Sequence, residues 1–591
     1  MRKITLLYLI FVLVPAFVLS QNNGFNIVNK ISEDGSPYVL NTSVSPVSFL
    51  PSVINPVGTV PDLTTFADYV TNGNNLRKVV VFGDTVVVTG DYLDSNFTAL
   101  SERVIRYNVS YDGGFSWETN ALIVSTTDNQ AYGVVTGVIT TGRTVAMTGR
   151  QYETGSRGFG GADLLIGLGI FNYTLNPPPS REYVGDLMSS TELGGSNLST
   201  NDSIFFIKYN YSNNTFNTSS RVLVASPPSE VSTTNTRQTS AVSSNGQNVF
   251  VMWWNGTADQ ESLAGKESTN GGTSFGSAFV MQPYHYIADG DTLYAWFGMD
   301  AIYKPNTNVK CAAFCSNAVS DYGARKQYKL LFWSPGINSG NPVIVADYRD
   351  TALHLMNDSL TFYNYASLMQ VGMTYVSHPS IAFTDDGSRL ICVFTGAQVD
   401  TAYGYNFNDI FESYSDDNGA TWSDPRNLTN TPDIDEIYPT IAKEGNTSNN
   451  IGVVFQVSEC PGSNSFTNTE TPRCPVYWVY RRYDPVTGNL IPIGVKTISN
   501  EVPNSYALHQ NYPNPFNPST KIKFDMPKNG FVTLKVYDML GRVVSTLVNN
   551  EFITAGEKEI TFSGQNLASG IYFYRLEAGE FTATRKMTLV K

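Results

Sequence analysis

Histidine is scarce in this chain, with only 4 among 591 residues. No G-x-S-x-G lies on a strand-to-helix turn, so a Ser/His/Asp hydrolase has poor support. Phosphate-cradling glycine motifs are also absent, because the glycines fall in hairpin-like turns. Basic residues are outnumbered, 38 to 51, giving a net charge of −13 and a pI near 4.9. That balance disfavours nucleic acid and anionic membrane surfaces as partners. Beyond the N-terminus no apolar run is long enough to span a bilayer. The 5 cysteines lack a second C-x-x-C or a nearby His, so zinc has no ligand set.

What is present is apolar and aromatic. Hydrophobic residues make up 41% and aromatics 13%, with Tyr (34), Gly (48), Asn and Thr abundant, the profile of a secreted all-β protein. Arg2 and Lys3 precede an apolar run from Ile4 to Leu19, and a cleavage point follows Ser20, so residues 1–20 read as a signal peptide. In an oxidising compartment Cys460 and Cys474, which flank a polar excursion, are expected to form a disulfide. Cys311 and Cys315 are the candidates for a second, local pair. Cys392 reads as a buried free thiol.

Residues 21–75 form an irregular lead-in whose end is a candidate strand for closing a ring. From 76 to 495 short β-branched or aromatic runs recur between Gly, Asn, Asp and Pro, which is strand grammar. Six units emerge, with seven as the alternative count. They open at Arg77–Val81, Gly133–Val138, Gln238–Val242, His285–Ala288, His378–Ala382 and Tyr438–Ala442, and residues 152–202 read as an insertion in the second. Six sheets around an axis leave only short edges, so a β-propeller accounts for them better than a string of sandwiches.

One octapeptide organises these units: Ser415, Asp417, Gly419 and Trp422 spell S-x-D-x-G-x-x-W. Ser110, Asp112, Gly114 and Trp117 repeat it, and Ser268, Asn270, Gly272 and Phe275 keep a degraded copy. The carboxylate can accept turn N–H groups, Gly supplies positive φ, and the ring folds back beneath the hairpin. The pattern resembles the Asp box of sialidase-like (BNR-repeat) β-propellers, where its role is structural.

The C-terminal end is different. Past a connector at 496–507, the stretch Asn511-Tyr512-Pro513-Asn514-Pro515-Phe516-Asn517-Pro518 precedes alternating strands, a turn at Gly541, a strand carrying Gly570 and Tyr572, and a last basic strand with Lys586. This wording closely resembles the type A C-terminal sorting domain of the type IX (Por) secretion system. The resemblance implies a small Ig-like β-sandwich over 508–591 and export to the cell surface or beyond. It also implies the secretion machinery as a partner, and membrane contact only during export or by later anchoring.

Sialidase-like enzymes hold a substrate carboxylate with three arginines and use a Tyr/Glu pair and an Asp, so the resemblance raises the question of a funnel site. The funnel candidates are Arg77, Arg237, His378, Glu436 and Tyr438, all at the starts of inner strands. The family's Arg-Ile-Pro signature is missing, and a third arginine is hard to nominate among Arg325, Arg349 and Arg481. No cofactor is expected, apart from Ca²⁺ as an alternative at the acidic loop of Asp433, Asp435 and Glu436. The expected function is recognition of a glycan or protein ligand at the cell surface. A glycoside hydrolase or lyase acting in the funnel is the second reading, and a structural or adhesion component the third.

Overall fold

The computed structural model describes residues 58–591 except for internal stretches, the longest being 67–76, 95–101, 320–327, 354–375 and 462–473. Residues 1–20, expected as a signal peptide, most of the expected lead-in and Arg325 lie outside the described residues. No α-helix occurs among those described, which form strands, turns and 3₁₀ turns such as Asn338–Gly340.

Seven antiparallel sheets follow one another between Val79 and Ile491. Their inner strands are Val79–Phe82, Gln130–Ile139, Glu182–Leu187, Arg237–Val242, Asp291–Tyr303, Val376–Phe383 and Asp435–Ile441. Sheets one to seven pack each on the next through these strands, and the seventh returns to the first through Ile451–Ser458, closing a propeller-like ring. Covered on both faces, the inner strands Val376–Phe383 and Asp435–Ile441 are buried throughout, polar residues included.

The ring is closed by the end of the lead-in. Thr59 and Thr65 bridge to Val479 and Val476, Val60 N donates to Trp478 O at 2.9 Å, and Tyr480 N donates to Gly58 O at 3.0 Å. The seventh sheet's own outer strand, Leu490–Ile491, pairs only with Arg482 and Tyr483, and residues 58–65 occupy the rest of that edge. An open edge would offer unpaired N–H and C=O groups to solvent or to another chain.

Three turns staple the seams. In the sixth sheet Ser415 Oγ accepts Gly419 N at 2.7 Å and donates to Asp417 Oδ1 at 2.7 Å, while Thr421 N and Oγ1 donate to Asp417 at 2.9 and 2.6 Å. Those donors, Thr421 foremost, hold the Asp417 carboxyl down to about 2. The turns at Ser110 and Ser268 repeat the bonds, with Asn270 in the carboxylate's place. Gly114, Gly272 and Gly419 have φ of 91°, 78° and 95°, and a Cβ on any of them would collide with an aromatic ring of the preceding sheet. The eighth box residue meets that same ring edge-on: Trp117 on Tyr480 at 5.9 Å, Phe275 on Phe206 at 5.7 Å and Trp422 on Phe332 at 5.3 Å. Such pairs contribute about 0.5–1.5 kcal/mol each beyond the area they bury.

The stretch expected as an insertion, 152–202, is not one. Arg157–Asp163 and Phe171–Leu175 complete the second sheet, and Glu182–Leu187 with Glu192–Leu198 begin the third, so seven sheets replace the expected six. Two of these strands read RGFGGAD and ELGGSNL and lack β-branched residues. Their glycines are needed because Tyr209 packs onto Gly160, Phe171 onto Gly161 and Phe206 onto Gly194. In the fifth sheet Tyr286–Ala288 is an edge strand; the long strand Asp291–Tyr303 takes the inner position.

Cys460 and Cys474 are joined by a disulfide, whereas Cys311, Cys315 and Cys392 are free and buried. Cys311 and Cys315 share one extended strand, which sets their Cα atoms about 13 Å apart, too far to bridge.

Two further four-stranded sheets form the C-terminal sandwich around Phe516, Ile522, Phe524, Leu534, Tyr574 and Leu576. The expected connector at 496–507 is partly structural: Val495–Ser499 pairs with Gly556–Ser563 as an edge of this sandwich.

Replacing Gly419 with Ala sets positive φ and the Phe332 ring against a Cβ, whereas Gly579, at φ 59°, has open space around it. Gly419→Ala is expected to cost about 3 kcal/mol in urea unfolding and Gly579→Ala about 1 kcal/mol; equal losses would contradict the staple.

Candidate functional site

First and third strands of an antiparallel sheet run the same way, so the turns after the inner strands share a face with the stapled turns. On that face the ring opens into a cavity of about 630 Å³ walled by all seven sheets. Its wall takes Phe82 and Gly83 from the first sheet, Val135 from the second and Asp186–Ser190 from the third. Val242–Ser244, Ile302–Asn306, Asp385 and Lys443–Gly445 come from the remaining four.

The charges inside are ordered. Arg77 Nη1 stands 2.5 Å from Asp186 Oδ1, and Val242 N donates to Asp186 Oδ2 at 2.9 Å. Burial alone would lower the Arg77 guanidinium, but Asp186, with help from Asp300 and Glu444, holds it above its ordinary value. Lys443 Nζ pairs with Asp300 Oδ2 and donates to Ile381 O at 2.7 Å. Asp300 Oδ2 also accepts Ile381 N at 2.9 Å and Ser380 Oγ at 3.2 Å, which ties the fifth, sixth and seventh sheets together. Burial pushes the Lys443 ammonium down despite Asp300. Lys304 Nζ donates to Asn418 Oδ1 and lies 5.8 Å over the Phe383 ring. Glu444 opens onto the cavity; the surrounding protein first, and then Asp186, push its carboxyl up.

The residues expected in a funnel are dispersed. Arg77 alone lines the cavity. Arg237 starts the strand whose far end, Val242, reaches the cavity five residues on, about 17 Å away along a strand. His378 and Tyr438 do meet: both are buried, with rings 4.5 Å apart edge-to-face and φ of 50° and 56°. Each precedes a proline at a break in strand register, and Gly298, φ 96°, sits at the matching break of the fifth sheet. Glu436 lies in the seam between sheets six and seven, where Thr431 Oγ1 donates to its Oε1 at 3.3 Å. Arg349 is held by Asp289, Asp291 and Asp347, and Arg481 lies in the field of Glu436. No three-arginine clamp therefore forms among the described residues.

The acidic loop does not converge either: Asp433 is exposed, Asp435 accepts Asn408 N and Nδ2 at 3.0 and 2.7 Å, and Glu436 faces Asp409. No group of three or more His, Cys, Asp or Glu side chains placed to hold a metal occurs among the described residues. Sequence reasoning attended to strand starts and missed Asp186, Asp300, Asp385, Lys443 and Glu444, four of them at or just past strand ends. Lys443-Glu444-Gly445, directly after the sixth run read as an inner strand, was the available signal.

In the C-terminal sandwich the NYPNPFNP stretch is tied to the last strands. Tyr574 Oη accepts Asn511 N and donates to His509 O, both at 2.8 Å. Gln510 Nε2 donates to Lys586 O at 2.7 Å, Thr588 N to Asn514 Oδ1 at 2.9 Å, and Phe516 N to Thr588 O at 2.9 Å. Gly541, φ 79°, closes a turn in which Asp538 Oδ1 accepts Leu540 N and Arg542 N, and Tyr572 Oη donates to Ala568 O.

Residues 510–590 match the secretion system C-terminal sorting domain family. That sorting domain marks the chain for export by type IX secretion to the cell surface or the extracellular space. No curated protein matches the chain. Among solved structures, a polysaccharide-lyase-family ulvan lyase is similar at 9% identity, over 72% of this chain and 95% of that one, with a TM-score of 0.45. The NanB sialidase from Streptococcus pneumoniae is similar at 9% identity, over 72% and 70%, with a TM-score of 0.36. A Penicillium chrysogenum α-L-arabinanase is similar at 10% identity, over 61% and 98%, with a TM-score of 0.36.

Tyr574→Phe deletes the hydroxyl between Asn511 and His509; a loss of about 1–3 kcal/mol in sandwich stability, with less protein reaching the cell surface, is expected. Unchanged stability would show that the tie is dispensable.

A pH effect follows from Glu436, whose carboxyl burial, and then Asp409, hold well above its ordinary value. Stability tied to its protonated form is present below the ordinary carboxylate range and lost as pH rises through the raised pKa. Glu436→Gln is expected to raise the urea midpoint over wild type at pH 8, with the difference vanishing toward pH 4; a gap that does not grow with pH would contradict this assignment.

Proposed function

We propose that this chain is an exported seven-bladed β-propeller with an Ig-like sorting sandwich, and that it binds a carbohydrate in the central cavity without cleaving it. One observation carries the reading: both largely buried cavity cations, Arg77 and Lys443, are paired with carboxylates and Lys304 is bonded to Asn418, whereas Asp385 and Glu444 are exposed and outside any ion pair among the described residues. Free guanidinium forks would suit an acidic sugar; exposed carboxylates instead accept hydrogen bonds from hydroxyl or amine groups. The exposed Phe82 ring on the same rim offers a flat apolar surface for a sugar face.

A glycan array with the full exported chain, scored for retained protein and for sugar released into solution, tests this reading. Retention without release is expected, and Ser190→Trp, which places an indole on the cavity wall, is expected to weaken it about tenfold or more without changing the melting temperature. Sugar release would make the chain a glycosidase or lyase, and retention indifferent to Ser190→Trp would move the site elsewhere.

A further inference from the structure

The rim where the sixth and seventh sheets meet the first joins two carboxylates to an aromatic ring. Asp385 and Glu444 sit on corresponding turns, each just past an inner strand, and the turns are bonded together: Gly445 N donates to Asp385 Oδ1 at 2.9 Å and Asp385 N donates to Asn446 O at 2.7 Å. Gly445 lies against Val81, leaving no space for a Cβ, so Glu444 is neighbour to the turn carrying Phe82. That phenyl ring is 42% exposed.

Four carboxylates face this cavity or its wall, Asp186, Asp300, Asp385 and Glu444, against three cations, Arg77, Lys443 and Lys304. Arg77 is held by Asp186 and Lys443 by Asp300, while the Lys304 ammonium is directed onto Asn418 of the sixth sheet's stapled turn. Glu444 receives no hydrogen bond or ion pair among the described residues. The cavity and its wall therefore carry four carboxylates against three cations, with Asp385 and Glu444 outside any ion pair among those residues and beside an aromatic face.

We propose that the ligand is an amine-bearing saccharide, its ammonium facing Asp385 and Glu444 and its ring laid on Phe82. This inference rests on the carbohydrate reading above and narrows it. A hydroxyl can donate to these carboxylates but leaves their mutual repulsion in place, whereas an ammonium removes it and adds charge-assisted bonds. The nearby phenyl face also favours a cation over a neutral group. The surrounding protein and the Asp186 charge, against the pull of Arg77, raise the Glu444 carboxyl, so binding strengthens as rising pH ionises it, for as long as the amine stays protonated.

Titration calorimetry of the full chain with a glucosamine tetramer and with its N-acetylated counterpart tests the proposal. The free-amine tetramer is expected to bind at least about tenfold more tightly at low salt, with the advantage shrinking as salt is added. Glu444→Gln, a substitution at an exposed side chain, is expected to remove most of that advantage while leaving the melting temperature unchanged. Phe82→Ala is expected to weaken both tetramers. Equal binding of the two tetramers by wild type would overturn the amine assignment and leave the carbohydrate reading standing. Binding of neither, together with a silent glycan array, would overturn both.

Discussion

Everything in this molecule depends on covering both faces of every sheet, and the ring achieves this only if it closes. A single four-stranded sheet cannot bury its apolar faces alone, so each sheet is stable only between two neighbours. The seams therefore carry the largest side chains, and three of them receive a ring from a stapled turn set onto an aromatic of the preceding sheet. Residues 58–65 complete the last seam by pairing with the seventh sheet, so chain distant in sequence from that sheet holds the circle shut. The cavity exists because closure brings the ends of the inner strands together.

Charge is placed by the same geometry. Side chains at the ends of inner strands point toward the axis, where desolvation penalises isolated ions. The ring answers with pairs that cross blades: Arg77 with Asp186, and Lys443 with Asp300, the latter also accepting from Ser380 and from a backbone N–H of a third sheet. At the mouth, Asp385 and Glu444 stand outside these ion pairs. The wall's charges thus tie the sheets together, while the rim carboxylates are the groups to which the proposal assigns a ligand.

Much of this was legible in the sequence. The S-x-D-x-G-x-x-W copies mark three turns by residues whose bonds the structure displays, and the tail's wording marks its family directly. What escaped had physical causes. The strands RGFGGAD and ELGGSNL carry glycine because rings press onto their backbones, so the usual β-branched signal is missing and half of each of two sheets read as an insertion. Val495–Ser499 hid in a polar connector because a short edge strand has little apolar content to show. Cavity residues were missed because a turn residue's reach toward an axis is set by ring closure, which no local pattern encodes. Asp186 was doubly hidden, lying on a strand that itself went unseen.

Hydrogen–deuterium exchange of the full chain with and without the glucosamine tetramer tests most directly that the cavity on the stapled face is the ligand site. Slowed exchange is expected in the turns at 82–84, 188–190, 304–306, 385–387 and 443–445, which come from five different sheets and meet only at the cavity. Protection confined to the opposite ends of the inner strands, around Arg237, His378 and Tyr438, would contradict the account.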